Sequence, residues 1–447
     1  MKILVFHGYM LRGTGSNIYN ANLARALARL GHEVHLLCQD REVKLEGVQI
    51  HNPEIGGLLP VYVVDPYEGF EVKAFPQLSE AELEHYMEAN VAAVRGVAEA
   101  AGGIDAAVAN HLIMGPAILA RAGVAPFAAK IHGSALEYTV KPNPRFLPYA
   151  REGLRAASGV LVGSAHTAES LWATLPDIPG LRGKTRLGPP GVDTEEFRPA
   201  GERGPLIVFV GKLIVSKGVD LLLAAWPLLH AAQPRARLQI AGFGEYEDGL
   251  RRLKAALDRG DLAEAREVAS LGRRLEGGGE AKPLAILAAF LADPPSGYAE
   301  AALAAAGSVE FLGRQEHDQV AELLPQAEAL VMPSTFPEAF GMVAVEAAAC
   351  GALPVSSDHS GMGEVSRQLA PALAPEVAGL TSFPLEAGAV EAIAQRLDRW
   401  LALPPGERTA ARRALVETVR RLWSWEGVAR GALAAAGGRL GELAPPG

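Results

Sequence analysis

The sequence predicts an α/β protein of two doubly wound, Rossmann-like domains facing across a cleft, with a helical insertion in the second domain. Three observations predict it. The chain has 447 residues, whereas a single core stops growing near roughly 250 to 300. Short apolar runs alternate with Gly-bearing loops and helical stretches, the pattern of β-α-β units in a parallel sheet covered on both faces. The alternation breaks once, at Arg198-Pro199-Ala200-Gly201-Glu202-Arg203-Gly204-Pro205, and then restarts.

In chain order, residues 2–7 form a strand, 17–30 carry apolar residues at helical spacing, Gly31 stops that helix, and 33–37 form the next strand. The rhythm returns at 106–109, 128–131 and 160–162, each followed by a loop and a helical stretch. In the second half, residues 206–210, 237–241, 308–311, 329–332 and 353–356 are the expected strands. Between 246 and 307 the rhythm yields to Ala/Leu/Arg/Glu-rich sequence around Gly277-Gly278-Gly279, which reads as an inserted helical hairpin. Expected boundaries are 1–199 for the first domain, 205–411 for the second, and 412–447 for a helical tail that crosses back to the first domain. Strand C-terminal ends in such sheets face the ligand.

Apolar residues make up 49% of the chain and charged ones 21%, which excludes disorder. Lys+Arg total 42 against Asp+Glu 51, a net charge of −9 that repels nucleic acid and anionic membrane. A phosphate-bearing ligand therefore needs a local cationic cluster. Cys38 and Cys350 are the two cysteines, too few for a disulfide framework, and the reducing cytoplasm is the simplest address. No run reaches the ~18 apolar residues of a membrane span. The start is read as a buried strand, since it lacks a signal-peptide cleavage pattern.

The strand at 206–210 ends in Gly211-Lys212, and Lys217-Gly218 precedes a helix starting near Val219. A Gly turn, lysines and a helix N-terminus together make an anion site. The bland alternative is a pair of solvated surface lysines. A Walker loop fails on spacing, because no Ser or Thr follows Lys217-Gly218. Further on, a helix from near Phe340 to Gly351 is apolar all round except for Glu346. A carboxylate buried there needs a basic partner or a ligand's hydroxyls. Glu338 sits just outside the same helix's N-terminus. The alternatives are a helix-terminal charge for Glu338 and a buried ion pair for Glu346.

Glu338-x7-Glu346 ahead of Ala349-Cys350-Gly351, with Gly211-Lys212, Lys217-Gly218, Ala241-Gly242-Phe243-Gly244, Phe311-Leu312-Gly313, Pro190-Gly191-Val192-Asp193 and the Gly13-Thr14-Gly15 loop, resembles the retaining glycosyltransferases of family 4, which have the GT-B fold. The resemblance implies that Glu346 grips the ribose of a nucleotide-sugar donor and Glu338 the transferred sugar. Lys212 and Lys217 would neutralise the diphosphate, with Lys212 standing where the family more often has Arg. Backbone N–H groups of Phe340, Gly341 and Met342 would contact sugar and phosphate oxygens, and Gly313 and Arg314 would read the base. In the first domain, His132 follows a strand and matches the histidine that lies against the donor sugar; a structural histidine is the alternative reading. Gly13 and Gly15 would let backbone approach the diphosphate, and Asn110 with His111 would line the acceptor pocket.

The implied chemistry is transfer of a sugar from a nucleotide-diphosphate donor, UDP-linked by default, to a hydroxyl of a small-molecule or glycan acceptor. It proceeds with retention by front-face attack, with Glu338, His132 and Lys217 as catalytic groups, no metal and no cofactor, the nucleotide sugar being a substrate. Two rivals stand beside it: a sugar-nucleotide epimerase on the same fold, and a nucleotide-sugar-binding subunit that has lost catalysis. The insertion is expected to serve acceptor choice or self-association. Glu80, Glu82, Glu84 and Glu88 disfavour anionic lipid at the helix they share, so the acceptor is expected to be soluble.

Overall fold

The structure, a computed structural model, describes residues 1–13, 15–62, 67–201, 203–278 and 282–446. Thr14 of the first glycine loop, Glu202 of the linker, Gly279 of the glycine run and Gly447 lie outside them.

The chain forms two compact units, residues 1–191 with 423–447, and residues 192–422. The division falls at Gly191/Val192, before the Pro/Gly/charge segment, and at Leu422/Trp423, beyond the expected start of the tail. In the first unit, β1 (Lys2–Phe6), β2 (Glu33–Leu37) and β3 (Val48–His51) precede a separate two-stranded pair, β4 (Leu58–Val61) and β5 (Glu71–Ala74). Then come β6 (Ala106–Asn110), β7 (Phe127–Ile131), β8 (Gly159–Val162) and β9 (Thr185–Leu187). The seven-stranded sheet runs β3-β2-β1-β6-β7-β8-β9, every pairing parallel. Alternation within β1 divides the core: Leu4 and Phe6 join one apolar cluster, and Ile3 and Val5 the other. The second cluster is closed by helix Gly15–Arg29 and by the chain's last long helix, Trp425–Ala436, whose Ala429, Ala432, Ala435 and Ala436 are small enough for close packing on the sheet.

In the second unit, β10 (Leu206–Val210), β11 (Arg237–Ala241), β12 (Val309–Gly313), β13 (Ala329–Met332), β14 (Leu353–Ser357) and β15 (Ser382–Phe383) form a parallel sheet in the order β12-β11-β10-β13-β14-β15. Both orders reverse once, between β1 and β6 and between β10 and β13, and such switch points are where doubly wound sheets bind ligands.

The insertion is helical, as its composition predicts: Glu247–Asp258, Leu262–Leu271, the short turn Arg273–Glu276, Ala285–Ala292 and Tyr298–Ala304. It is docked rather than protruding. Leu287, Phe290 and Leu291 are buried, and the Tyr298 hydroxyl donates to the Ala224 carbonyl at 2.7 Å. That carbonyl belongs to helix Val219–Ala232, which runs unbroken through Pro227.

The tail divides too. Helix Pro405–Leu422 is fastened to the second sheet by Glu328, which is buried at the start of β13 and ion-paired with Arg412, with Arg408 at 3.9 Å. Trp400 Nε1 donates to the Glu328 carbonyl at 2.9 Å. Removing one member of a buried pair costs about 3 kcal/mol or more. Arg412→Met is therefore expected to lower the second unit's unfolding free energy by that order, read from its urea transition by tryptophan fluorescence.

Candidate functional site

The lysines follow β10. Gly211 and Lys212 leave the strand, the turn Val215–Lys217 follows, and Gly218 opens helix Val219–Ala232. Gly218 sits at φ +65°, and a Cβ there would lie 2.0 Å from the Pro333 carbonyl oxygen, so only glycine brings the turn this close to the loop after β13. Thr335 N donates to the Ser216 carbonyl at 2.8 Å, closing the same approach. The contact brings Lys217 Nζ onto Glu338 Oε1, which also accepts from Ser334 Oγ at 2.9 Å.

Glu338 is held from behind by the loop after β14. Its N–H donates to Ser360 Oγ at 3.0 Å, and its carbonyl accepts from Gly361 N at 2.9 Å. His359 donates from Nε2 to the Ser334 carbonyl at 2.8 Å, leaving Nδ1 to accept from the Ser360 hydroxyl at 3.1 Å. Ser334, His359 and Ser360 are thus site residues that sequence reasoning missed. The available signal was their position just after strand C-termini.

The apolar helix begins at Met342, later than expected, as Met342–Ala349; Phe340 and Gly341 belong to the loop before it, with Gly341 at φ +115°. Glu346 is 5% exposed and meets a basic residue that the sequence reading overlooked. His317 Nε2 lies 3.3 Å from Glu346 Oε1, and its Nδ1 lies 3.6 Å from Glu196. Burial pulls the His317 imidazolium down, but the hydrogen bonds and charges of Glu196 and Glu346 outweigh it and push its pKa up to about 10. Lys212 Nζ and the Arg314 guanidinium lie 5.9 and 4.8 Å from the centre of the Phe243 ring, so two cations share one aromatic platform after β10, β11 and β12. Gly313 ends β12 at φ +70°. Within the second unit, then, Lys212 and Lys217 follow β10, Arg314 follows β12, which Gly313 ends, and Glu338 follows β13, while Glu346 lies on the helix after β13.

The first unit has a cluster of its own after β1, β6 and β7. Asn110 donates from Nδ2 to the Phe6 carbonyl at 3.1 Å, which turns Oδ1 toward His132 Nε2 at 2.9 Å. Asn110 therefore fixes the His132 ring. His111 is 2% exposed, held at φ +67°, with its ring centre 4.9 Å from that of His132 and 5.7 Å from that of His7. Burial lowers the pKa of all three, His7 to about 4, and keeps the rings neutral. Buried Lys130 donates to the Gly188 carbonyl at 2.6 Å, and burial brings its pKa down to about 7. Gly13 sits at φ +91° in the loop after β1, and Gly15 starts helix Gly15–Arg29.

With this geometry in place, the sequence matches the family described as Glycosyltransferase Family 4 over residues 13–196, and that described as Glycosyl transferases group 1 over residues 204–281 and 299–420. The chain belongs to the family 4-like glycosyltransferases, which have the GT-B fold. Two relatives set the scale. The glycogen synthase of Mycobacterium tuberculosis is 30% identical over 43% of this chain and 37% of its own length. The D-inositol 3-phosphate glycosyltransferase of Frankia alni is 28% identical over 94% of this chain and 93% of its own. The match thus spans little more than a third of the glycogen synthase. Among solved structures, Anabaena Alr3699/HepE in complex with UDP and glucose is similar in fold, with a TM-score of 0.58 at 15% identity over 98% of this chain and 99% of that one. Among the described residues, no helix is long and apolar enough to cross a membrane, and no group of three or more His, Cys, Asp or Glu side chains is placed to hold a metal ion.

Behind the Lys217 turn, Asp220 is 3% exposed, and burial, with Glu276 adding its charge, raises its pKa to about 7. A raised carboxyl favours the protonated fold. Its contribution to stability is fully present below about pH 4 and is lost as pH rises through about 7. Asp220→Asn in this family 4 chain should therefore stabilise the fold more at pH 8.5 than at pH 5, by on the order of 3 kcal/mol or less, read by scanning calorimetry as a larger rise in melting temperature at the higher pH.

Proposed function

We propose that this chain transfers a sugar from a nucleotide-diphosphate donor, UDP-linked in preference, to an acceptor hydroxyl on a small molecule or glycan, with retention and without a metal. The observation that carries the reading is the Lys217–Glu338 pair at the β10/β13 switch point, which sets a cation beside a carboxylate where a diphosphate and its sugar would lie side by side. In this reading Lys217 keeps two N–H donors for phosphate oxygens while the third stays on Glu338. Glu338 Oε1 takes Lys217 and Ser334, and Oε2 is the oxygen assigned to sugar hydroxyls. Glu346, with protonated His317 balancing its charge, takes the ribose. Lys212 supports the diphosphate; Gly313 and Arg314 take the base. N–H groups at Phe340, Gly341 and Met342 take sugar and phosphate oxygens. His132, Gly13 and Gly15 keep the donor roles that the resemblance gives them, and Asn110 acts on His132 while His111 serves the acceptor.

Retention follows from front-face attack. The C–O bond to the diphosphate breaks, the acceptor oxygen bonds to the same face of the anomeric carbon, and the departing phosphate oxygen accepts the acceptor's proton. The protein's task in this reading is to stabilise the developing diphosphate charge, a role assigned to Lys217, Lys212 and the start of helix Met342–Ala349. The preference for UDP is supported by the UDP complex of the similar Anabaena protein.

Isothermal titration with UDP, GDP and ADP tests the donor: UDP binding tightest is expected, and failure of all three to bind overturns the reading. Lys217→Ala should lower kcat/KM for the donor by about a hundredfold or more, and unchanged turnover would leave a binding subunit as the better account. Because lysines carry the charge stabilisation, activity should survive EDTA, whereas loss on chelation and rescue by magnesium would remove metal independence.

A further inference from the structure

The Val215–Lys217 turn is held on one side by the loops of the doubly wound sheet, through Thr335 on Ser216 and Glu338 on Lys217. On its other side it is held by the insertion. Glu276 Oε1 accepts from Val215 N at 2.5 Å, across 61 residues of sequence. Val215 is the first residue of the turn and Lys217 the last, so this bond fixes the end opposite the ammonium-bearing residue.

Glu276 is itself placed with care. It ends the short turn Arg273–Glu276, and Gly277 at φ +78° caps it, its N–H donating to the Arg274 carbonyl at 3.2 Å. The turn starts from Gly272, which bridges to Lys282 as an isolated parallel pair. At φ +50°, with the Lys282 carbonyl 1.8 Å from where a Cβ would stand, this position admits only glycine. Leu275 beside Glu276 seats the turn on helix Glu247–Asp258, with its Cβ 3.1 Å from where a Cβ on Gly249 would stand. A carboxylate at this spot has an electrostatic cost, for it raises the pKa of buried Asp220 and of the buried Tyr246 phenol. An apolar residue would spare that cost but leave the Val215 N–H without this acceptor.

We infer that Glu276 is a positioning residue through which the helical insertion sets the Lys217 turn for a diphosphate, so that the insertion tunes donor affinity. This rests on the diphosphate assignment above and extends it to a segment outside the alternating sheet pattern. Glu276 touches no substrate in this account. It acts through one backbone N–H, and a glutamine, whose side-chain oxygen also accepts, would replace it.

The test is calorimetric, with wild type, Glu276→Ala and Glu276→Gln titrated with inorganic pyrophosphate, UDP and uridine. Glu276→Ala should weaken pyrophosphate and UDP about tenfold, the scale of one hydrogen bond, while uridine affinity and the melting temperature change little. Glu276→Gln should bind all three as wild type does. Equal pyrophosphate affinity in wild type and Glu276→Ala overturns the inference, as does a loss that extends equally to uridine or that glutamine fails to rescue. If wild type binds neither pyrophosphate nor any of UDP, GDP and ADP, the diphosphate assignment falls first, which separates the two failures.

Discussion

The second unit's site is organised around one ion pair. Lys217 belongs to the loop after β10 and Glu338 to the loop after β13, and between those strands the sheet order reverses. Two half-buried charges in contact attract by about 4 kcal/mol at an effective dielectric constant near 20, before desolvation and side-chain entropy are subtracted. Most of the local construction serves this spacing. Gly218 permits the approach, Thr335 on Ser216 maintains it, and Ser360 with Gly361 fixes the backbone of Glu338. The pair also keeps both charges satisfied within the protein itself.

Histidine shows how surroundings, and not residue type, assign charge in this chain. After β1, β6 and β7 three imidazoles crowd among tyrosines, with no carboxylate beside them among the described residues, and burial holds them neutral. After β12 a single imidazole lies between Glu196 and Glu346 and stays protonated through neutral pH. In the first arrangement neutral side chains partner the rings, His7 with Asn17 and Asn20 and His132 with Asn110. The second neutralises a carboxylate that would otherwise be isolated in an apolar helix. An acidic protein can thus present local surfaces of quite different character without spending many lysines.

The central strands and their order of appearance were legible because strands buried on both faces read as unbroken apolar runs, as at 206–210 and 329–332. Apart from β12, the edges were not: β3, β9 and β15 are short and mix polar residues into the run, and the β4–β5 pair includes Pro60 and Lys73. Glu346 could be read as a buried carboxylate in need of a partner, yet its partner could not be named, because His317 lies 29 residues away in sequence and only the fold joins them. The start of helix Met342–Ala349 was displaced because Phe340 continues the apolar pattern, and the positive φ of Gly341 that ends the loop has no hydrophobic signature. Glu276 illustrates the same limit, since its chemistry is one bond to a distant backbone N–H.

The placement of helix Trp425–Ala436 has a consequence for how the chain folds as it is made. One face of the first sheet, lined by Ile3, Val5, Val108, Ala128 and Leu161, is completed by Trp425, Ala429, Ala432 and Ala435. Domains emerging from the ribosome usually fold in order, N-terminal first. Here the first unit holds an open apolar face while all of residues 192–422 are synthesised, and it closes only after the second unit has left the ribosome. The unit whose first strand is made earliest is therefore the last to be completed, and transiently uncovered apolar surface of this kind is what makes partly folded chains prone to aggregate.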